Sequence, residues 1–118
     1  MKGAYLIPKT MVTQITAADL KKKMDADEDF LLLDVREPNE FNIASIPTAR
    51  LIPLSVIQSR LGELKGLEDK EIVVHCKLGG RSMQACQFLE SLGFKNMVNL
   101  AGGIHAWSDQ VDPSVPKY

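Results

Sequence analysis

The stretch that most constrains this chain is Ile72-Val73-Val74-His75-Cys76-Lys77-Leu78-Gly79-Gly80-Arg81-Ser82. Ile72 to Val74 is apolar without alternation, the pattern of a buried parallel strand. Cys76 follows at once, then a loop with a glycine pair and two cations, then Ser82 opening a helical pattern. Ala85, Phe88, Leu89 and Leu92 repeat on one face of that helix, and Gly93 stops it. Cys76 therefore stands where a strand hands over to a helix, the place where open α/β sheets put their ligand sites.

Such a turn favours an anion. Gly79 and Gly80 let the backbone curl so that successive N–H groups point inward. The helix beyond adds its unpaired first-turn amides and the positive end of its dipole. Lys77 and Arg81 add formal charge. A thiol in this cradle should lose its proton readily and become a reactive thiolate. Most free cysteines are buried and inert, but burial alone would not require a glycine pair and cations beside Cys76.

The loop Cys76-Lys77-Leu78-Gly79-Gly80-Arg81-Ser82 resembles the active-site loop of rhodanese-like sulfurtransferases. In that family a cysteine carries sulfane sulfur as a persulfide. The related phosphatases of this fold place one residue more between cysteine and arginine. The four residues between Cys76 and Arg81 match the tighter loop that fits sulfur. The resemblance implies Cys76 as the catalytic residue, with Lys77, Leu78, Gly79, Gly80, Arg81 and Ser82 lining the substrate site.

Other segments carry the same likeness. Phe30-Leu31-Leu32-Leu33-Asp34-Val35-Arg36 reads as a second strand, apolar until it ends in two charges. Charges at the end of a buried strand must be paired or solvated. Asp34 and Arg36 are expected to support the loops near Cys76 through charge-assisted hydrogen bonds, a purely structural ion pair being the alternative. Running on to Phe41, this segment resembles the family's aspartate-valine-arginine signature. Glu37 to Asn42 reads as a short helix with Pro38 in its first turn. Ile43 to Ala49 resembles the stretch before the family's third strand, although Ala44-Ser45 replaces the usual glycine-histidine pair and Thr48 a glycine. Ala101-Gly102-Gly103-Ile104-His105-Ala106-Trp107 is similar to a further family motif, with Trp107 a packing anchor.

With 118 residues the chain suits one domain with a single core. Its 14 basic and 15 acidic side chains form no long like-charge block, which argues against nucleic acid or a membrane surface as partner. No apolar stretch nears membrane-span length, and no signal-peptide core stands at the N-terminus. The 2 cysteines exclude a disulfide framework and the usual zinc spacings, so a reducing cytoplasm is the expected compartment.

Residues 1–13 read as an arm or linker, 14–110 as the domain, and 111–118 as an extended tail that its prolines keep from helix. Met11 to Ile15 is expected to enter a first strand. Thr16 caps a helix from Ala17 to Met24 whose Lys21 to Lys23 face is solvated. Arg50 to Ile52 is a short strand, Ser55 caps a helix to about Leu64, and Asn96 to Leu100 is the last strand. The expected fold is three-layer α/β of rhodanese-like type, a mostly parallel sheet of about five strands with helices on both faces.

Adjacent strand residues face opposite ways, so His75 is read as structural and not as a base for Cys76. His105 is read as a surface or packing residue, Cys86 as a small core residue and Ser82 as a helix cap. The tail together with the Cys76 loop resembles the C-terminal rhodanese-like domain of E1-like adenylating enzymes, which serve ubiquitin-fold sulfur carriers. The chain has no nucleotide loop, so it would be an excised domain or a stand-alone relative. The resemblance implies a small donor such as thiosulfate or a protein persulfide, a carrier protein as acceptor, and no metal or organic cofactor. A non-catalytic interaction module and phosphatase or arsenate-reductase chemistry remain as alternatives.

Overall fold

The structure, a computed structural model, describes residues 12–118. The arm expected over 1–13 therefore lies outside the described residues except for its last two positions. Five strands form one sheet in the order β1-β5-β4-β2-β3. They are β1 Thr13–Ile15, β2 Leu31–Asp34, β3 Arg50–Leu51, β4 Ile72–His75 and β5 Met97–Leu100. Every pairing is parallel, with β4 in register with β2 (Leu33 opposite Val74) and with β5 (Val73 opposite Val98). Parallel strands need crossover connections, and those connections give the molecule its three layers.

The helices are α1 Ala17–Asp25, α2 Pro38–Ile43, α3 Gly80–Ser91 and α4 Gly103–Gln110. Strand periodicity sorts the core into two faces. Leu33, Ile72, Val74 and Met97 pack with Ala85, Cys86 and Leu89 of α3 and with Ile57 and Leu64. Leu32, Val73, Val98 and Leu100 pack with Leu20 of α1 and with Ile104 and Trp107 of α4. Trp107 is the packing anchor expected of it, buried in this second cluster.

Some local expectations shift. The segment after β3 is a 3₁₀ helix, Leu54–Leu64, with Arg60 at φ −113° and ψ 17° outside helical geometry. Its N-cap is Pro53, and the Ser55 hydroxyl is instead spent on Glu37 Oε2 at 2.9 Å. Leu92 does not join the buried face of α3 because it is the C-cap residue, and it is 48% exposed. Cys86 takes the inward position instead. Lys23 is not simply solvated, since it bridges Glu28 and Glu71 at 2.7 Å each. Thr16 does cap α1, its hydroxyl accepting from the Asp19 amide at 3.0 Å.

The tail beyond α4 is held without helix. Val115 is buried, its carbonyl accepts from the Ser108 hydroxyl at 2.7 Å, and its amide closes a turn onto Asp112. That anchoring carries Tyr118 back to the carboxyl ends of the strands. Chain connections leave β2 toward one edge of the sheet and β4 toward the other. The crevice between their carboxyl ends is the point where such folds hold ligands.

Candidate active site

Cys76 follows β4 directly, and the loop Lys77 to Gly79 leads into α3. Gly79 is the N-cap, with φ at +119°, a conformation that side chains rarely adopt. Its amide is turned onto Cys76 Sγ at 3.1 Å. Helix α3 begins at Gly80, earlier than the sequence pattern suggested, so Ser82 lies inside the first turn and is not the cap. The Ser82 hydroxyl is consequently free to face the sulfur, at 3.3 Å.

Burial pushes the Cys76 thiol up, but the Ser82 hydroxyl and the Ser82, Gly79 and Leu78 amides outweigh it and hold the thiol below its ordinary value. Both the nest and the helix start expected from the glycine pair are thus present, and Cys76 itself is only 1% exposed.

The outer side of the loop is fixed by α4. The amides of Ile104 and His105 donate to the carbonyls of Cys76 and Lys77, at 2.9 and 3.3 Å. With those carbonyls held outward, the amides that follow turn inward. The approach requires glycine, because a Cβ on Gly103 would stand 2.4 Å from the Lys77 carbonyl oxygen. This explains the glycine pair before Ile104.

Ser82 has one proton and several acceptors. Its oxygen lies 2.5 Å from Asn99 Oδ1, 3.2 Å from the Gly79 carbonyl and 3.3 Å from Sγ. The single proton can serve one of these acceptors at a time, and a thiolate at Cys76 would draw it to sulfur. Asn99 is buried in β5 and is steadied by Gln14 Oε1 at 3.1 Å. Sequence reasoning missed it, although an asparagine between Val98 and Leu100 in a buried strand was a usable signal.

Asp34 and Arg36 form a fully buried ion pair at 2.7 Å. Arg36 also donates to the carbonyls of Ala44 and Glu40, at 2.7 and 3.3 Å, and to the Tyr118 hydroxyl at 2.7 Å. The pair therefore ties β2 to α2 and to the tail, beside the loop and without touching the sulfur. Tyr118 in turn donates to Glu40 Oε2 at 2.9 Å. Glu40 holds Arg81 in a two-pronged bridge at 2.7 and 2.8 Å. Glu40 and Tyr118 were not singled out in the sequence. A glutamate at the third helical position after Glu37 was the available cue for Glu40.

Lys77 stands over the Tyr118 ring at 4.9 Å, and His105 meets that ring edge-on at 5.8 Å between centroids. His75 is buried and turned to Asp34, with Nε2 3.6 Å from Oδ2. Burial keeps its pKa below the usual histidine value, so it stays neutral and packs. Leu78, at the loop tip, is 62% exposed.

A cavity of about 690 Å³ is lined by Asp27, Phe30, Leu31 and Trp107 among others. It opens at the amino end of β2, the opposite end of the parallel sheet from Cys76. Among the described residues no group of His, Cys, Asp and Glu could hold a metal ion, and no helix is long and apolar enough to cross a membrane.

Known proteins resemble this chain in sequence and in fold. Residues 16–110 match the Rhodanese-like domain family. A sulfurtransferase of Allochromatium vinosum is 38% identical over 98 residues, 83% of this chain and 90% of that protein. The adenylyltransferase and sulfurtransferase MOCS3-2 of Zea mays is 40% identical over 110 residues, 89% of this chain but only 23% of the maize protein. The chain thus spans about a quarter of that relative's length. A rhodanese-like domain protein of Staphylococcus aureus superimposes with a TM-score of 0.76 at 32% identity, over 85% of this chain and 95% of that one. With its strand order, its cysteine at the β4–α3 turn and these matches, the chain belongs to the rhodanese-like domain family.

Proposed function

We propose that the chain is a sulfurtransferase that carries sulfane sulfur on Cys76. The observation that bears most weight is the Gly79 amide and Ser82 hydroxyl converging on a buried sulfur at a helix N-terminus. The named sulfurtransferase of similar length supports the same reading. In the first step the Cys76 thiolate attacks the outer sulfur of thiosulfate. A new S–S bond forms, the old one breaks, and sulfite leaves with the electron pair. The terminal sulfur of the Cys76 persulfide inherits the negative charge, which the inward amides hold.

In the second step an acceptor nucleophile attacks that terminal sulfur and returns Cys76 as thiolate. Cyanide would leave as thiocyanate. In this reading Lys77, Leu78, Gly79, Gly80, Arg81 and Ser82 form the substrate site, and Asp34 with Arg36 supports it. The tight loop leaves less room for a phosphate than for sulfur, which disfavours phosphatase or arsenate-reductase chemistry. A reducing compartment such as the cytoplasm suits its two free cysteines.

A carrier protein as acceptor is the second part of the proposal, drawn from the likeness to the maize adenylyltransferase and sulfurtransferase. Lys77 and the exposed Leu78 flank the sulfur and would meet an extended carboxylate-bearing tail. The test is incubation with thiosulfate followed by intact and peptide mass spectrometry, with thiocyanate release on adding cyanide. A single added sulfur on the Cys76 peptide is expected. An unmodified Cys76 and no thiocyanate would return the chain to the non-catalytic interaction modules of this fold.

A further inference from the structure

The loop presents two cations in sequence, but the structure treats them differently. Arg81 is engaged along one edge by both carboxylate oxygens of Glu40. Glu40 cannot easily turn away, because each of its oxygens has a second donor. Oε1 accepts from the Glu37 amide at 3.0 Å, and Oε2 from the Tyr118 hydroxyl at 2.9 Å. Tyr118 is pinned in turn by Arg36 at 2.7 Å, itself locked to Asp34. The chain of bonds runs from a buried ion pair through the tail to the loop arginine. Lys77 has no carboxylate partner among the described residues and rests on the face of the Tyr118 ring.

We propose that Glu40, held by Tyr118, is a specificity-determining residue that withdraws Arg81 from the mouth of the loop and sets the site for singly charged sulfur donors over dianions. The proposal rests on the sulfurtransferase reading above. Asp34 is paired with Arg36 and Glu40 with Arg81, which leaves Lys77 as the loop cation without a carboxylate partner among the described residues. A compact dianion such as thiosulfate gains from a second cation at short range, and Glu40 opposes that gain by neutralising Arg81. A donor with one charge on its reacting end loses less. Glu40 keeps its charge at any physiological pH, since the Arg81 guanidinium holds its carboxyl at about 2.

Thiosulfate and methanethiosulfonate form a matched pair of probes. Both deliver the same terminal sulfur to the Cys76 thiolate, by forming one S–S bond and breaking another. The leaving group is sulfite from the dianion and methanesulfinate from the monoanion, with no oxidant or reductant needed. The measurement is the ratio of kcat/KM for thiosulfate to that for methanethiosulfonate. Because it is a ratio within one preparation, partial loss of folded protein cancels.

Glu40→Gln should raise this ratio by about tenfold, as Arg81 is released from a charged to a neutral partner. Tyr118→Phe, which removes one donor to Glu40 and leaves the bridge, should raise it by about twofold to threefold. The double variant Glu40→Gln with Arg81→Gln should lose the gain of the single one. A ratio that stays constant or falls in Glu40→Gln overturns the proposal, as does a gain that persists without Arg81. If the unaltered protein takes sulfur from neither donor, the sulfurtransferase reading itself has failed. If it takes sulfur from both and the ratio does not move, only this inference has.

Discussion

Two cysteines stand on one helix-bearing segment, ten residues apart, and both are buried. Cys86 sits in the middle of α3, where every amide is already committed to the helix. Its sulfur meets the Val98 carbonyl at 3.7 Å. Burial pushes its pKa up to about 12, and the nearby negative charges of Glu90 and Cys76 push the same way. Cys76 is equally hidden, yet its thiol is held below the ordinary value by one hydroxyl and several amides. Low exposure is therefore common to two sulfurs whose thiols are shifted in opposite directions. The difference is whether unpaired backbone donors face it, and a loop turning into the first turn of a helix has such donors to offer.

The widest break in this comparison should come from removing each sulfur in turn. Cys76→Ser is expected to lose thiosulfate:cyanide transfer to background, while Cys86→Ser keeps it within about twofold. An active Cys76→Ser protein would reverse the assignment. Next in size is Gly103→Ala, which places a methyl group where the Lys77 carbonyl stands. The loop must shift, and a displacement near 1 Å can cost about a hundredfold in rate. Steady-state kinetics beside a thermal melt would separate that loss from unfolding. Activity unchanged in the folded variant would mean that α4 does not position the loop.

Ser82→Ala is expected to cost less, about tenfold, the worth of one hydrogen bond to a charged sulfur. It should also move the Cys76 alkylation inflection to higher pH and leave Cys86 unchanged. The smallest effect concerns acid. His75 is buried neutral, and its folded pKa lies below its unfolded value. A base whose pKa is depressed on folding contributes stability that is complete above about pH 6.5 and declines as pH falls below it. The melting temperature should therefore drop by a few degrees between neutrality and pH 5, before Glu40 starts to protonate. In His75→Asn the slope should flatten. An equal slope in both proteins would place the acid sensitivity elsewhere.

Much of this was legible in the chain. Unbroken apolar runs marked β2 and β4 as buried parallel strands, and Cys76 with its glycine pair marked the turn between strand and helix. The loop from Cys76 to Arg81 implied sulfur transfer through its resemblance to the rhodanese active-site loop. What the sequence could not display was the partnership of distant polar groups. Glu40, Arg81, Arg36 and Tyr118 meet only because α2 and the tail converge on one crevice, across 78 positions from Glu40 to Tyr118. Asn99 is hidden for the same reason, as its partner Ser82 lies 17 positions away at the start of α3. The start of α3, at Gly80, was also misread as Ser82, because Gly79 can cap in a left-handed conformation with no side chain to announce it.

The most direct test of the central claim is alkylation by iodoacetamide as a function of pH, with each cysteine followed on its own peptide. Cys76 should react with an inflection below the free-thiol value of about 8.5, while Cys86 in the same tube stays slow throughout. An inflection for Cys76 at or above that value would contradict the account, since buried amides would then have failed to do what separates the two sulfurs.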